Sequence, residues 1–518
     1  MVKKSAPFFF FFVLALVIRW PTVPYIDSAP LDPNFPLHAL AAKGLSEGHF
    51  LSLPYLEWPD GARMRYIAIP LLLIAAPINW LMSPIPAMNI AVLIWVFLQG
   101  CGGYVIGRRF SFPNSASLFL GTGCMVAPIQ ILALGNGQFE NVALFPLLWL
   151  IWALRERRSL FFPFFILLFS SPYQGIVGLF AVMVFYTLHK RHVNLLECGL
   201  VLLLGAGYYA AVATGDVHAS VEPAPAVLSE KAQLWGLFLP SNIAESGTPL
   251  PGWIDRIRSL LSAPSGSIYN HRWPWVMSTA SSYVGWGLFL GLAFCYRHLK
   301  KKPRILLWGL ICLIAALGST WGASGIPLPW GLSAWIPGIH KMQATARLLS
   351  GVSAAILLYV AACRIKPRFY YILTAVLVLD GLLVSPAHWP LPAKAPLASP
   401  TLQTVDEPVA FWPAAPVIAS QKVTMTSLML EQPLSLFAET NVQMPNPQGK
   451  IERTNTIRKN QDGQTPSEWK ADICRSGIKK LIQFRDIVGN ESQPFVYGFE
   501  SCDSHFCMWS LCTDQGTP

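Results

Sequence analysis

The chain has 518 residues, 53% of them hydrophobic and only 13% charged, with a mean hydropathy of +0.44. Soluble domains average about 25% charged residues, so this balance excludes an ordinary soluble enzyme and sets most of the chain in a lipid bilayer. The net charge of +11 is not a nucleic-acid signal, because the basic residues fall in short clusters between apolar segments, as the positive-inside rule describes.

A bilayer core about 30 Å thick needs roughly 20 apolar residues per helix. With the basic clusters taken as cytoplasmic, the apolar segments alternate in direction along the chain. The first, residues 8–20, follows Lys3 and Lys4 and is not followed by a small-x-small cleavage site, so it reads as a retained helix rather than a signal peptide. The loop 21–65 then lies outside. Residues 66–81 are apolar but broken by Pro70 and Pro77, and counting them as a span would place Arg108 and Arg109 outside. They read as a juxtamembrane helix in the outer leaflet.

Spans follow over 88–107, 115–134, 142–154 and 161–171, then a sixth after an outer turn at 171–175, and a seventh over 195–213. A long outer loop, 215–281, precedes spans over 282–296 and 305–320; a tenth opens near Arg347 and the last covers 369–384. Each expected inner segment carries two to five Lys or Arg residues, the largest group being Arg297, Lys300, Lys301, Lys302 and Arg304. The expected fold is therefore mainly α, a polytopic bundle of about eleven transmembrane helices plus the juxtamembrane helix. The N-terminus is cytoplasmic and the C-terminus external.

The membrane part is read as residues 1–386. Five prolines between 385 and 400 mark residues 387–400 as a stiff linker. The remainder, 401–518, alternates short apolar runs with Gly, Asn and Pro and reads as a small α+β or β-rich exported domain, with a helix near 467–476. Six cysteines (Cys101, Cys124, Cys198, Cys295, Cys312, Cys363) fall in or beside apolar segments, where a thiol acts as a small hydrophobe. Cys474, Cys502, Cys507 and Cys512 lie in the tail, where two disulfides fit an oxidising compartment better than a zinc site lacking C-x-x-C spacing.

No Walker loop, G-x-G-x-x-G or H-E-x-x-H is present, so chemistry is expected on the outer face. Asp27 and Asp32 in the first outer loop are the leading candidates, since a partly shielded carboxylate can act as a general base. Pro33 disfavours helix at Asp32, whereas Asp27 also suits a turn or cap. The same loop holds His38. A second group, Gln138, Glu140 and Asn141, sits in the short loop 135–141, where helix-end capping is the competing role. A third is basic: His340, Lys341 and Arg347. An arginine on the outer face suits a phosphate by bidentate hydrogen bonding, the alternative being an interfacial arginine snorkelling to headgroups.

This layout resembles the GT-C superfamily of polytopic membrane glycosyltransferases, which use polyprenyl-phosphate sugars. The resemblance rests on the acidic first outer loop with Asp32-Pro33, the WPDG at 58–61, the GQFEN at 137–141, the long seventh-to-eighth loop, the LPW…IPG…ARLL stretch at 328–349, and the exported tail. It is nearest to a bacterial branch with a GDP-like motif in the first loop, although Leu31 stands where that branch has Gly. No D-x-D spacing is present, so a metal-dependent mechanism is not implied, and no cofactor is expected.

The resemblance implies an inverting transfer of a hexosyl or pentosyl group to a glycan, lipid or protein acceptor at the outer face of a bacterial inner or plasma membrane. In it Asp32, or Asp27, is the base. Arg347, with Lys341 or His340, holds the phosphate, while Glu140, with Gln138 and His38, positions acceptor or sugar. The alternatives are a transporter or flippase of lipid-linked glycans, for which Asp380 and Glu197 are the acids nearest a span, and a non-catalytic envelope scaffold.

Overall fold

The computed structural model describes residues 2–20, 22–23, 29–30, 34–49, 52–53, 62–64, 68–135, 137–189, 195–213, 237–238, 283–296, 303–318, 320–321, 326–328, 330, 345–363, 365–384, 393–394, 409–412, 442–443, 480–484, 499–502 and 506–510. Fourteen α-helices lie among them. They are α1 (Val2–Ile18), α2 (Asn34–Ser46), α3 (Ile69–Asn79), α4 (Pro84–Arg109), α5 (Asn114–Val126), α6 (Pro128–Gly135) and α7 (Leu144–Glu156), then α8 (Phe161–Ser170), α9 (Pro172–His189), α10 (Leu195–Ala213), α11 (Trp286–Cys295), α12 (Pro303–Ala316), α13 (Leu349–Ala362) and α14 (Pro367–Leu379).

Among the described residues, four stretches are long and apolar enough to cross a membrane: Pro84–Arg109, Asn114–Gly135, Thr345–Ala362 and Pro367–Val384. The other expected spans hold shorter stretches: Ser5–Ile18, Phe161–Ser170, Pro172–Thr187, Leu196–Tyr208, Trp286–Cys295 and Arg304–Ala316 are apolar runs of 10–17 residues, and Leu144–Glu156 has 13. At 1.5 Å per residue the shortest rise only about 15 Å, half a bilayer core.

Helices α4 and α5 approach each other closely. A Cβ on Gly103 would lie 2.9 Å from the Gly121 Cα, one on Gly107 2.9 Å from the Ser117 Cα, and one on Gly121 2.5 Å from the Gly100 carbonyl oxygen. Small residues let these backbones meet where lipid supplies no hydrophobic driving force between helices. The expected third span is broken rather than straight. Pro128 pushes Ala127 out of the helical region (φ −51°, ψ 136°), so α5 ends and α6 restarts at a new angle. The expected outer turn at 171–175 reduces to Ser171, because Pro172 is pre-set for the first position of a helix and α9 begins there.

One expectation is corrected. The segment expected as a loop over 21–65 is not loop throughout: α2 forms within it, starting directly after Pro33, and α3 packs behind it, with the Trp80 indole donating to the Ser46 carbonyl over 3.0 Å. Within the expected linker, 387–400, Ala393–Lys394 pairs antiparallel with Ala29–Pro30. Val442–Gln443 likewise adds to the hairpin of Ser52–Leu53 and Ala62–Met64.

The tail holds a four-stranded sheet in the order Phe499–Cys502, Phe506–Ser510, Lys480–Phe484, Val409–Trp412, whose last pair is parallel. Ile482 and Met508 belong to the same apolar cluster as the helices. Cys502 and Cys507 form a disulfide across neighbouring strands, while the six cysteines of the apolar segments are buried and form no disulfide. Cys474, Cys512 and the expected helix near 467–476 lie outside the described residues.

The α14 helix continues as a π-turn, Asp380–Val384, where the chain passes close against α5. A Cβ on Gly381 would overlap the Val126 carbonyl oxygen, a backbone atom that cannot swing aside. Gly381→Ala is therefore expected to lower stability by about 1–3 kcal/mol. Gly199→Ala, which meets nothing within 4 Å, should not lower it. Thermal unfolding of the two variants in one detergent checks the pair.

Candidate active site

The short connection between α6 and α7 is a turn of 3-10 helix, Phe139–Asn141. It lies just before α7, at the opposite end of that helix from Arg155, which sits in its last turn. Neighbouring helices hold it from several directions. The Gln130 side chain donates to the Asn141 carbonyl over 3.2 Å, and the Trp95 indole donates to the Val142 carbonyl over 2.7 Å. Gln99 accepts the Phe145 N–H at 2.9 Å, which satisfies one of the open donors at the start of α7. These are buried side chains used as rivets, each bonded to a backbone group of the turn or its flanks.

Phe139 is the apolar anchor. It is buried and packs edge-on against Phe35, at 6.1 Å, and against His38, at 5.5 Å, both on α2. Burying this ring draws α2 onto the turn and brings the His38 imidazole to its neighbour in sequence, Glu140. The His38 Nε2 lies 3.9 Å from Glu140 Oε2.

The third participant comes from about two hundred positions further along the chain. Arg347 sits in a second 3-10 turn, Thr345–Leu348, which leads into α13. Thr345 donates to the Ala316 carbonyl at the end of α12 over 3.0 Å, and Ser350, one turn after Arg347, donates to Gln174 of α9 over 3.0 Å. The guanidinium carbon lies 5.2 Å from the centre of the Tyr173 ring, a cation–π arrangement that fixes the plane of the group. Its Nη1 is 3.6 Å from Glu140 Oε1.

Glu140 is thus shared between a cation and an imidazole from two different parts of the fold. Its one hydrogen bond is from Asn141 Nδ2, at 3.3 Å on Oε1; Oε2 is buried and accepts none. Side-chain exposures of 16% for Glu140, 22% for Arg347 and 9% for His38 put the cluster at the mouth of the bundle rather than in open water. Both ion-pair distances exceed a hydrogen bond, so the attraction is electrostatic and exchangeable.

Of the expected site residues, Glu140, His38 and Arg347 come together. Gln138 is buried beside them, and its Oε1 receives a long contact, 3.5 Å, from Asn141 Nδ2, so it supports the turn. Glu140 accepts its hydrogen bond from the Asn141 side chain and none from a helix-end N–H among the described residues; at the start of α7 the Phe145 N–H is taken by Gln99. Nor does Arg347 snorkel outward. Asp27, Asp32, His340 and Lys341 lie outside the described residues. Tyr173 was not a sequence candidate, and a single tyrosine in a Pro-Tyr-Gln-Gly string gives no signal of its role.

The two acids that a transporter would use are both occupied in holding helices. Asp380 accepts the Tyr283 hydroxyl at 2.5 Å and the Gly287 N–H at 3.0 Å, closing the N-terminus of α11. Gly285, at φ +115°, is the residue that lets the chain pass, since a Cβ there would stand 2.7 Å from the Asp380 carboxylate. Glu197 accepts the backbone N–H groups of Leu160 and Phe161 at 2.6 and 3.2 Å, and the Ser159 hydroxyl at 2.9 Å, so it caps α8.

Fold and site together define a polytopic helical membrane protein with a charged cluster at one end of the bundle. The sequence matches no family model and no curated protein. In structure the chain is similar to the arabinofuranosyltransferase AftD from Mycobacteria, solved by cryo-EM, with a TM-score of 0.50 and 12% identity over 99% of this chain. It spans 40% of that protein's length. At this identity the likeness concerns the fold alone.

If Asp380 is a cap and not a transport group, Asp380→Ala should cost stability by leaving the Gly287 N–H buried and unpaired, about 1–3 kcal/mol. Chemical denaturation would register the loss, and binding of a polyprenyl-phosphate lipid to the variant should equal that of the wild type.

Proposed function

We propose that this chain is a membrane glycosyltransferase that moves a sugar from a polyprenyl-phosphate donor to an acceptor hydroxyl on the extracytoplasmic face, with inversion. The observation that carries the reading is the meeting of Glu140, Arg347 and His38, from three separate segments, at one end of a bundle similar in fold to an arabinofuranosyltransferase. An isolated surface salt bridge would be a weak signal. A carboxylate, a guanidinium and an imidazole gathered between helices, with one carboxylate oxygen left without a hydrogen bond, is the composition of a binding site.

In this reading Arg347, with Lys341 or His340, holds the donor phosphate and stabilises it as it leaves. Asp32 takes the proton of the attacking hydroxyl, with Asp27 the other candidate for that role. Glu140 and His38 orient the acceptor or the sugar, and Gln138 keeps the Glu140 turn in place. Residues 1–386 form the catalytic membrane part, and 401–518 an exported domain whose strands support the first outer loop. The N-terminus lies in the cytoplasm. Transport is the weaker reading, because Asp380 and Glu197 are committed to helix ends.

The test is donor turnover by purified protein with a panel of polyprenyl-phosphate pentoses and hexoses. Loss of a general base costs typically 10²–10⁴-fold, so either Asp32→Ala or Asp27→Ala should reduce turnover by at least about 100-fold. Arg347→Ala should weaken donor binding and slow turnover together. Unchanged turnover in both aspartate variants would remove the first loop from the chemistry.

A further inference from the structure

We propose that Glu140 is the resting occupant of the donor's phosphate position. It neutralises Arg347 until a phosphate displaces it, and the displaced carboxylate then becomes available to the acceptor hydroxyl. This rests on the reading of Arg347 as the phosphate ligand and adds to it an order of events. Donor binding would prepare the acceptor side of the site.

The distances argue for exchange. Asp380 and Glu197, which hold helices, accept their hydrogen bonds at 2.5–3.2 Å. Glu140 is held at 3.3 Å by Asn141, 3.6 Å by Arg347 and 3.9 Å by His38. A phosphate oxygen bonds a guanidinium edge at about 2.7–2.9 Å, and two can do so in parallel, so a phosphodiester makes shorter contacts with Arg347 than Glu140 does. Tyr173, 5.2 Å beneath the guanidinium carbon, keeps the plane of the group constant while its edge changes partner.

The freed carboxylate is not stranded. His38 remains 3.9 Å from Oε2, and Oε2 is the buried oxygen that accepts no hydrogen bond. Buried polar atoms of this kind are rare in folded proteins and call for a reason. A hydroxyl donated by the acceptor, or by the sugar, supplies one. Only ion pairs and hydrogen bonds are exchanged in this step; no covalent bond forms or breaks. Because the coupling is reciprocal, an acceptor that engages Glu140 would tighten phosphate binding at Arg347 by the same factor.

Equilibrium binding of a polyprenyl phosphate and of the matching uncharged polyprenol, both in phosphatidylcholine nanodiscs, tests the proposal. Glu140→Gln keeps the shape of the side chain and removes the competing charge. It is expected to bind the phosphate lipid about tenfold tighter while leaving polyprenol affinity unchanged, a modest coupling by the usual scale. Glu140→Asp, which draws the charge back from Arg347, should shift affinity in the same direction by less.

Phosphate-lipid binding that is unchanged or weaker in Glu140→Gln, with Arg347→Ala still weakening it, overturns the switch and leaves the phosphate site standing. An equal shift for polyprenol would also overturn it, since the effect would not be one of charge. If Arg347→Ala binds the phosphate lipid like the wild type, the phosphate site fails and the switch with it.

Discussion

The near-contact of α4 and α5 sets the position of everything at the site end of the bundle. Their backbones meet at Gly100, Gly103, Gly107, Ser117 and Gly121, where any larger residue would separate the helices. From α4, Trp95 and Gln99 reach the chain on the far side of the Phe139–Asn141 turn; from α6, which continues α5, Gln130 reaches the turn itself. A lateral shift of one helix would therefore move the carboxylate of Glu140 relative to Arg347, which is carried by a different part of the bundle. Packing of small residues is thus linked to electrostatics at the site through three side-chain to backbone bonds.

Bond length separates the acids by role. In a medium without water a carboxylate is stable only where donors surround it, and Asp380 and Glu197 meet that condition with short bonds to helix N-termini. Glu140 does not meet it. Beside one hydrogen bond from Asn141, it faces Arg347 and His38 at ion-pair distance.

The tail takes part in the architecture of the site end. Strands at 393–394 and 442–443 add to strands of the first outer loop, and Ile482 and Met508 share the apolar cluster of the helices. Backbone pairing of this kind constrains a loop at both its ends, at Ala29–Pro30 and at Ala62–Met64. The segment between them contains α2, the helix that delivers His38.

Composition and charge alternation alone determined the helical membrane class, the positions of most helices to within a few residues, and the candidacy of Glu140 and Arg347. Those inferences depend on local quantities: apolar run length, basic clusters, and polar residues stranded between apolar segments. Helix α2 was not legible, because its buried face, including Leu37, His38 and Leu40, answers to Phe139 and to α3 rather than to a hydrophobic run of its own. Nor was the break at Ala127, the single-residue turn at Ser171 or the pairing of 393–394 with 29–30. Only the tertiary structure could decide that Asp380 and Glu197 are caps while Glu140 faces a cation. The partners that distinguish them, Gly287, Leu160 and Arg347, lie 93, 37 and about two hundred residues away in the chain.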